Sequence, residues 1–571
     1  MRGARKIGPP KLEFFHVGAL PLVNHFLRRL RLAEILGSYL STADRRRQLA
    51  PAQALMVMVR NLLVCREPLY AVRAWAAKFE PSLLSLSPQE VPLLNDDRVG
   101  RSLVDLFDAD RPSLVLRVVV QAIREFKLRL ERFHNDTTSI SFHGLYRLAD
   151  GRRRRGKKTL KITYGHSKDH RPDLRQLLWS LTVTADGAVP VNYEVLDGNI
   201  TDDQIHRQTW DVLCTLVGGP KFLYVADSKL CTRPNMLHIA QKGGRFLTVL
   251  QATRKEDGRF RDWIQSHEVP WNEVLRKPIP GRKRQPPEII RAYEDPAGSA
   301  EGFRIVWFHS TEKEKRDLKE REEKLDRAIR ELQDLNDRLA SVRTRLRRRE
   351  KVDKAVEGIL GSAGAARWLD VHVERKEEKN FRQAKPGRPG PNTPYRRKTR
   401  LRFSLSWTAK KEALDYDRKI DGIFPLITNV KKMALRAILQ AYKLGQPPVE
   451  QRHHNLKAFH QVAPQYLKSV VRIEAFLCVY FLALLLNALI EREVHAGMKR
   501  HHLKSLALYP EDRPCKRPTT EQLLRVFDDL MVHCLHGRAG AKAYVYPPTL
   551  NRLQRRILRV LGIPLDAYRF A

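Results

Sequence analysis

Cysteine is scarce and scattered. The six residues Cys65, Cys214, Cys231, Cys478, Cys515 and Cys534 form no metal-type pair and no disulfide framework in a chain of 571 residues. A reducing cytoplasm is therefore the expected compartment. A secretory leader is missing too, because Met1–Pro10, MRGARKIGPP, lacks an apolar core. The most apolar run, Ala475–Leu486, is bounded by Glu474 and Asn487. It falls short of the roughly 18–20 residues a bilayer needs and reads as a helix buried in protein, with no membrane partner. Acids are few: 64 Asp and Glu stand against 105 Lys and Arg, a formal net charge of +41. Such an excess opposes compaction unless a polyanion shares the surface, so nucleic acid is the first partner to expect.

What is present is enough apolar residue, 42%, to bury more than one core. The organising stretch is Phe133–Phe142, FHNDTTSISF, whose period of two predicts a strand. Asp136 lies in its middle, where a carboxylate is unfavourable unless something compensates it. It is either an edge-strand acid facing water or arginine, or a functional group. A second acid occupies a similar position: the apolar run FLYVA leads into Asp227, at the carboxyl end of an expected buried strand.

In chain order, 1–128 reads as a helical amino-terminal domain suited to binding DNA. Its runs from Ala19 and Ala52 have helical spacing, and the run from Leu94 is a packing hairpin or a helix-turn-helix. Residues 129–250 form the first part of a catalytic core. The basic loop from Gly151, GRRRRGKK, is a solvated hairpin tip or a phosphate contact. QLLWSLTVT, the Asp186–Gly187 turn and VPVNYEVL predict a hairpin, followed by a helix from Gln204 and the strand of Asp227. That order requires a mixed sheet with a crossover. Residues 251–400 read as an insertion flanked by proline-rich linkers near Pro280 and Pro389. It carries a long charged helix with a leucine heptad at Leu318, Leu325, Leu332, Leu339 and Leu346, and a second seam at Ile329, Leu335 and Val342, which predicts a coiled coil, intramolecular or between chains. Strand patterns return at Leu401 and Asp421, so 401–495 is the second part of the core, and 496–571 is a basic helical tail in which PTTEQLLRVF offers a helix cap at Thr519.

Glu450, on a helix starting near Pro447, is the third acid to single out. Two hard cations about 3.5–4 Å apart commonly run phosphodiester chemistry, and oxygen ligands suit them. Spacing alone is weak evidence in a chain with 64 acids.

Several motifs together add to it: HNDTTS at Asp136, YGHSKDHRPDLRQ from Tyr164, DGN at Asp197, VADSKL at Asp227, DGIFPLITN from Asp421, and YKLGQPPVEQRHHNLK from Tyr442. With these, residues 130 to 490 resemble the DDE transposases of bacterial insertion sequences, in the group with a Tyr-Arg-Glu-Lys signature. The resemblance implies an α/β ribonuclease-H-like core interrupted by an insertion. Asp136, Asp227 and Glu450 would then be the catalytic acids holding Mg2+ or Mn2+. Tyr442 and Lys457 would hold the transposon end. The signature arginine is replaced by Gly445 and the glutamate comes one residue late, so Lys443 or Arg452 is expected to supply the missing charge. His166, Lys168, Arg171 and Asp173 read as a rim that contacts DNA or orders the second strand. His453 and His454 invite zinc, but no cysteine completes a tetrahedral set. The expected activity is cleavage of element ends followed by strand transfer into double-stranded target DNA, by a homodimer. The rivals are a structure-selective endonuclease, a non-catalytic DNA-binding protein and an inactive transposase remnant.

Overall fold

The computed structural model describes residues 11–40, 48–168, 171–200, 205–278, 286–341, 343–443, 446–460, 467–536 and 542–569. The leader reading at Met1–Pro10, the linker at 279–285, Val342 and Gly445 lie outside the described residues. The chain divides into two units, Met1–Thr248 with Ile438–Ala571, and Val249–Ala437.

The first unit opens with β1 (Lys11–His16), α1 (Leu20–Arg29) and α2 (Leu32–Tyr39). The single periodic run expected from Ala19 is broken at Arg31, which takes a left-handed φ of 51°. α3 (Pro51–Val64) is apolar almost all round, and its described side chains are largely buried. After the short α4 (Val72–Ala76) come α5 (Asp96–Asp108) and α6 (Arg111–Phe126). Asn95 and Asp110 cap them by accepting from Arg98 N and Ser113 N. α5 packs against α3, so its apolar face is spent on a helix neighbour.

The sheet follows. It begins with β2 (Arg132–Phe142), β5 (Arg175–Thr184) and β6 (Pro190–Asp197), while β3 (Arg153–Arg154) and β4 (Lys157–Lys158) form a short hairpin of their own. Then come α7 (Ile205–Val217), β7 (Leu223–Val225), α8 (Arg233–Gln241) and β8 (Arg245–Val249). Strand order in this unit is β6-β5-β2-β7-β8. β2 is antiparallel to β5 but parallel to β7, which α7 makes accessible by a crossover. The β3–β4 loop is not a free tip. Arg155 forks onto Asp108 at 2.6–2.9 Å, and Lys157 Nζ donates to the carbonyls of Phe107, Asp108 and Ala109 at 2.7–2.9 Å. These cations satisfy the carbonyl end of α5, where its dipole is negative.

The second unit holds α9 (Lys255–Trp263), β9 (Asn272–Lys277), β10 (Glu288–Asp295), β11 (Arg304–Ser310), α10 (Thr311–Ala340) and α11 (Arg349–Ala363). It continues with β12 (Leu369–Gln383), β13 (Tyr395–Ala409), α12 (Lys411–Ile420), β14 (Ile423–Thr428) and α13 (Leu435–Lys443), the last crossing its boundary. Strands β9, β10, β11 and β14 pair antiparallel in that order. Two expectations need correction. The insertion does not end at 400, because the LRFSLSW stretch belongs to β13, which pairs along its whole length with β12. Nor does the leucine heptad continue to Leu346 in one helix, since α10 stops at Ala340. Leu332, Leu335 and Leu339 are buried against α11, β12 and β13, whereas Leu318 is 39% exposed. The seam packs a local core rather than a heptad partner. Asp421 of the DGIF motif is buried in a forked pair with Arg321 of α10.

The first unit resumes with α14 (Gln446–His460) and α15 (Val470–Arg500), and ends with β15 (Leu506–Ala507), β16 (Pro514–Cys515), α16 (Thr520–Arg525), β17 (Met531–His536), β18 (Lys542–Tyr546) and α17 (Arg552–Leu561). At 31 residues α15 is longer than the apolar run suggested, and by length and composition it is long enough to cross a membrane. Its most apolar window is wholly buried inside the protein. Phe481 stacks on Tyr193 at 4.7 Å, and Tyr193 on Trp179 at 4.8 Å, which seats α15 on the sheet. Each such pair contributes about 0.5–1.5 kcal/mol beyond its buried area. Residues 496–571 are not a separate tail. β17 pairs antiparallel with β1, α17 packs on α15, and the Tyr568 hydroxyl donates to Gly18 O at 3.3 Å.

Candidate active site

Asp136 lies in the middle strand of the first unit's sheet. On one face of β2, Asn135 Nδ2 donates to Ser180 Oγ at 3.0 Å and Thr182 Oγ1 at 2.9 Å, which fixes that face as buried and polar. Alternation sends Asp136 to the other face. There its Oδ1 accepts from Thr137 N at 2.8 Å, and its side chain keeps 25% exposure.

The parallel ladder between β2 and β7 ends at His134–Val225. Asp136, within β2, and Asp227, just past the end of β7, each lie two residues beyond that pair. Asp227 starts a short 3-10 turn, Ser228–Leu230: its side chain accepts from Lys229 N at 3.1 Å, and its carbonyl accepts from Thr248 Oγ1. The apolar run ends there because the backbone leaves the sheet.

Glu450 comes from α14, which packs across β2. The pKa of this exposed carboxyl is raised, by partial burial and then by the charge of Asp136. One acid therefore bears on the other although they are far apart in the chain. Among the described residues, no three His, Cys, Asp or Glu side chains stand together as a ready-made metal cage. The oxygen-only chemistry of the three acids matches a hard divalent cation such as magnesium.

Cations and an imidazole complete the surroundings. Lys168 Nζ donates to Thr137 O at 2.6 Å, and its backbone N donates to Ser139 Oγ at 3.1 Å, tying the YGHSK loop to β2 beside Asp136. His453 is buried with Nε2 3.5 Å from Asp136 Oδ2. Burial, helped by the charges of Lys168 and Lys457, pushes its pKa down to about 3 and keeps the ring neutral. In the sequence His453 read only as a candidate zinc ligand, and its contact with the aspartate was not legible.

Other expected site residues are placed differently. Arg452 supplies no charge to DNA. It is 2% exposed, with Nε donating to Ala188 O at 3.0 Å, Nη2 to Gly187 O at 3.1 Å and Nη1 to Glu491 at 3.1 Å. It clamps α14 to the β5–β6 turn and to α15. Arg171 is exposed and pairs with Asp173 at 2.7 Å, within its own loop. His166 and His454 are exposed, while Tyr442 and Lys443 are half-buried on the last turn of α13. The glycines of the YGHS and DGN motifs have a packing reason. A Cβ on Gly165 would come within 1.9 Å of Gly198 O, and one on Gly198 within 2.0 Å of Gln176 O.

Residues 12–120 match a family described as "Domain of unknown function (DUF4277)". The match leaves the function open. No curated protein matches the chain. Among solved structures, the chain is similar to a piggyBac transposase in a synaptic complex with hairpin DNA, at 9% identity and a TM-score of 0.37. That comparison covers 88% of this chain and 78% of the other. A likeness this slight carries no argument about the site.

Proposed function

We propose that the chain is a DDE-type DNA transposase that cleaves the ends of a bacterial insertion sequence and joins the freed 3′-hydroxyl to target DNA. In this reading it works as a cytoplasmic homodimer on double-stranded DNA. The observation that carries the proposal is the packing of α14, the helix of Glu450, on β2 beside Asp136, with His453 of that helix 3.5 Å from the Asp136 carboxylate. The order β6-β5-β2-β7-β8, with both aspartates two residues past the end of one parallel ladder, supports a ribonuclease-H-like core.

Asp136, Asp227 and Glu450 would hold Mg2+ or Mn2+, which when bound supplies Lewis-acid activation of the attacking and leaving oxygens. Glu450, exposed on α14, would complete the set of three acids. His453, kept neutral, lies against the Asp136 carboxylate without adding charge. Lys168, at the edge of β2, and Lys457, two turns past Glu450 on α14, present positive charge where the scissile phosphate would lie. Tyr442, Lys443 and Arg171 are proposed to contact flanking DNA.

The test is magnesium-dependent cleavage of a duplex carrying the element's end. Asp136→Asn and Asp227→Asn should each abolish strand cleavage and leave duplex binding largely intact. Cleavage retained in either variant sinks the assignment. A precleaved end with a free 3′-hydroxyl separates the transposase from a structure-selective endonuclease, because only the former joins it to target DNA.

A further inference from the structure

The second unit carries a two-stranded ribbon, β12 and β13, paired over fifteen positions from Leu369–Ala409 to Gln383–Tyr395. Its base is fastened: Leu369, Phe403 and Leu405 are buried with Leu332, Leu335 and Leu339 of α10. The outer half has no such core. Between Arg375 and Arg402 the chain holds eleven Lys and Arg against two Glu.

Register sorts these charges. Directly opposed residues share a face, so one face of the outer half presents Lys376 with Arg402, Glu378 with Arg400, Asn380 with Lys398, and Arg382 with Arg396. Arg402 pairs with Glu378 at 2.7 Å, which uses that face's acid. Toward the tip Arg382, Arg396 and Lys398 are all exposed; Glu378, diagonal to Lys398, already pairs with Arg402, and no carboxylate stands opposite or diagonal to Arg382 or Arg396. Like charges directly opposite destabilise a strand pair. Here two arginines face each other at the end of a ribbon that has little else to hold it. The opposite face is different, with Phe381 at 62% and Tyr395 at 53% exposure.

We infer that the outer half of this ribbon is a duplex-DNA docking surface, its Arg382–Arg396–Lys398 face set against phosphates along a groove. The duplex supplies the anions whose absence leaves that face self-repelling. The shape agrees: eight register pairs from Lys376 to Gln383 span roughly 25 Å at about 3.3 Å per residue, and the major groove, about 12 Å wide, admits a two-stranded ribbon. Asn380, on the same face, adds an amide able to bond a base edge. The inference rests on the proposed function for its choice of duplex DNA, but it concerns binding away from the carboxylates.

The experiment is fluorescence anisotropy of the full chain with a 30-base-pair duplex, without divalent metal, across a salt series. A triple variant, Arg382→Ala with Arg396→Ala and Lys398→Ala, should lose roughly tenfold or more in affinity and lower the salt slope by about 2–3. A matched triple on the other face, Arg375→Ala with Lys379→Ala and Arg397→Ala, removes the same charge and should lose clearly less. Circular dichroism and melting checks that both variants keep the wild-type fold. Equal losses from the two faces, an unchanged slope in the first variant, or a loss seen only on single-stranded RNA overturns the inference. A wild-type chain that binds no duplex at all overturns the functional reading as well, whereas ribbon variants that bind like wild type overturn only the ribbon.

Discussion

Replacing Arg452 by alanine tests whether α14 is held by a buried clamp. The guanidinium is 2% exposed and reaches two backbone carbonyls, Asn487 and Glu491. Removing one partner of a buried charged network leaves the others desolvated and unpaired, which costs about 3–5 kcal/mol. Glu491 keeps some solvent contact, at 17% side-chain exposure, so the lower end is expected. Arg452→Lys keeps the charge but not the fork, and should recover only part of the loss. With two units the unfolding will not be a single transition, so hydrogen exchange at Gly187 and Ala188 is the sharper assay. Faster exchange there, with cleavage reduced because Glu450 is two residues away, is the expected result. A variant with unchanged exchange at those amides that binds DNA more weakly would refute the clamp, and would return Arg452 to the DNA surface.

Two further outcomes follow from the second unit. Leu332→Ala, at a fully buried position, should cost about 2–5 kcal/mol, while Leu318→Ala, at 39% exposure, should stay within about 0.5 kcal/mol. Equal losses in thermal melts would restore the continuous coiled-coil seam. Glu256 is held well below the usual carboxylate range, at about 2, by its hydrogen bond from Arg254 and then by Ala300 N. A depressed pKa stabilises the fold above the unfolded value near 4.5, and that gain is lost as pH falls toward 2. The stability gap between wild type and Glu256→Gln should therefore shrink over that interval, and a gap independent of pH would refute it.

The strands of Asp136 and Asp227, the Asp186–Gly187 hairpin and the Thr519 cap were legible because each depends on local pattern. The Thr519 side chain accepts from Gln522 N, and Gln522 answers at Thr519 N, as the spacing required. Arg452 was misread because an arginine beside a candidate acid looks the same in sequence whether it faces phosphate or backbone carbonyls. The heptad misled for a related reason. A helix of 3.6 residues per turn drifts against a seven-residue repeat, so only part of a straight α10 meets the local core. The register that brings Asp136 level with Asp227, and the partnership of His453 with Asp136, depend on long-range pairing that no window of sequence contains.

The pairing of β1 with β17 has a consequence for how the chain is made. The first strand emerges from the ribosome hundreds of residues before its mate, whereas Val249–Ala437 is contiguous and can organise as soon as it is extruded. The half that carries the carboxylates must wait with an unpaired edge, which makes it the slow and aggregation-exposed part of synthesis. Shortening the chain from its far end would undo structure at its beginning.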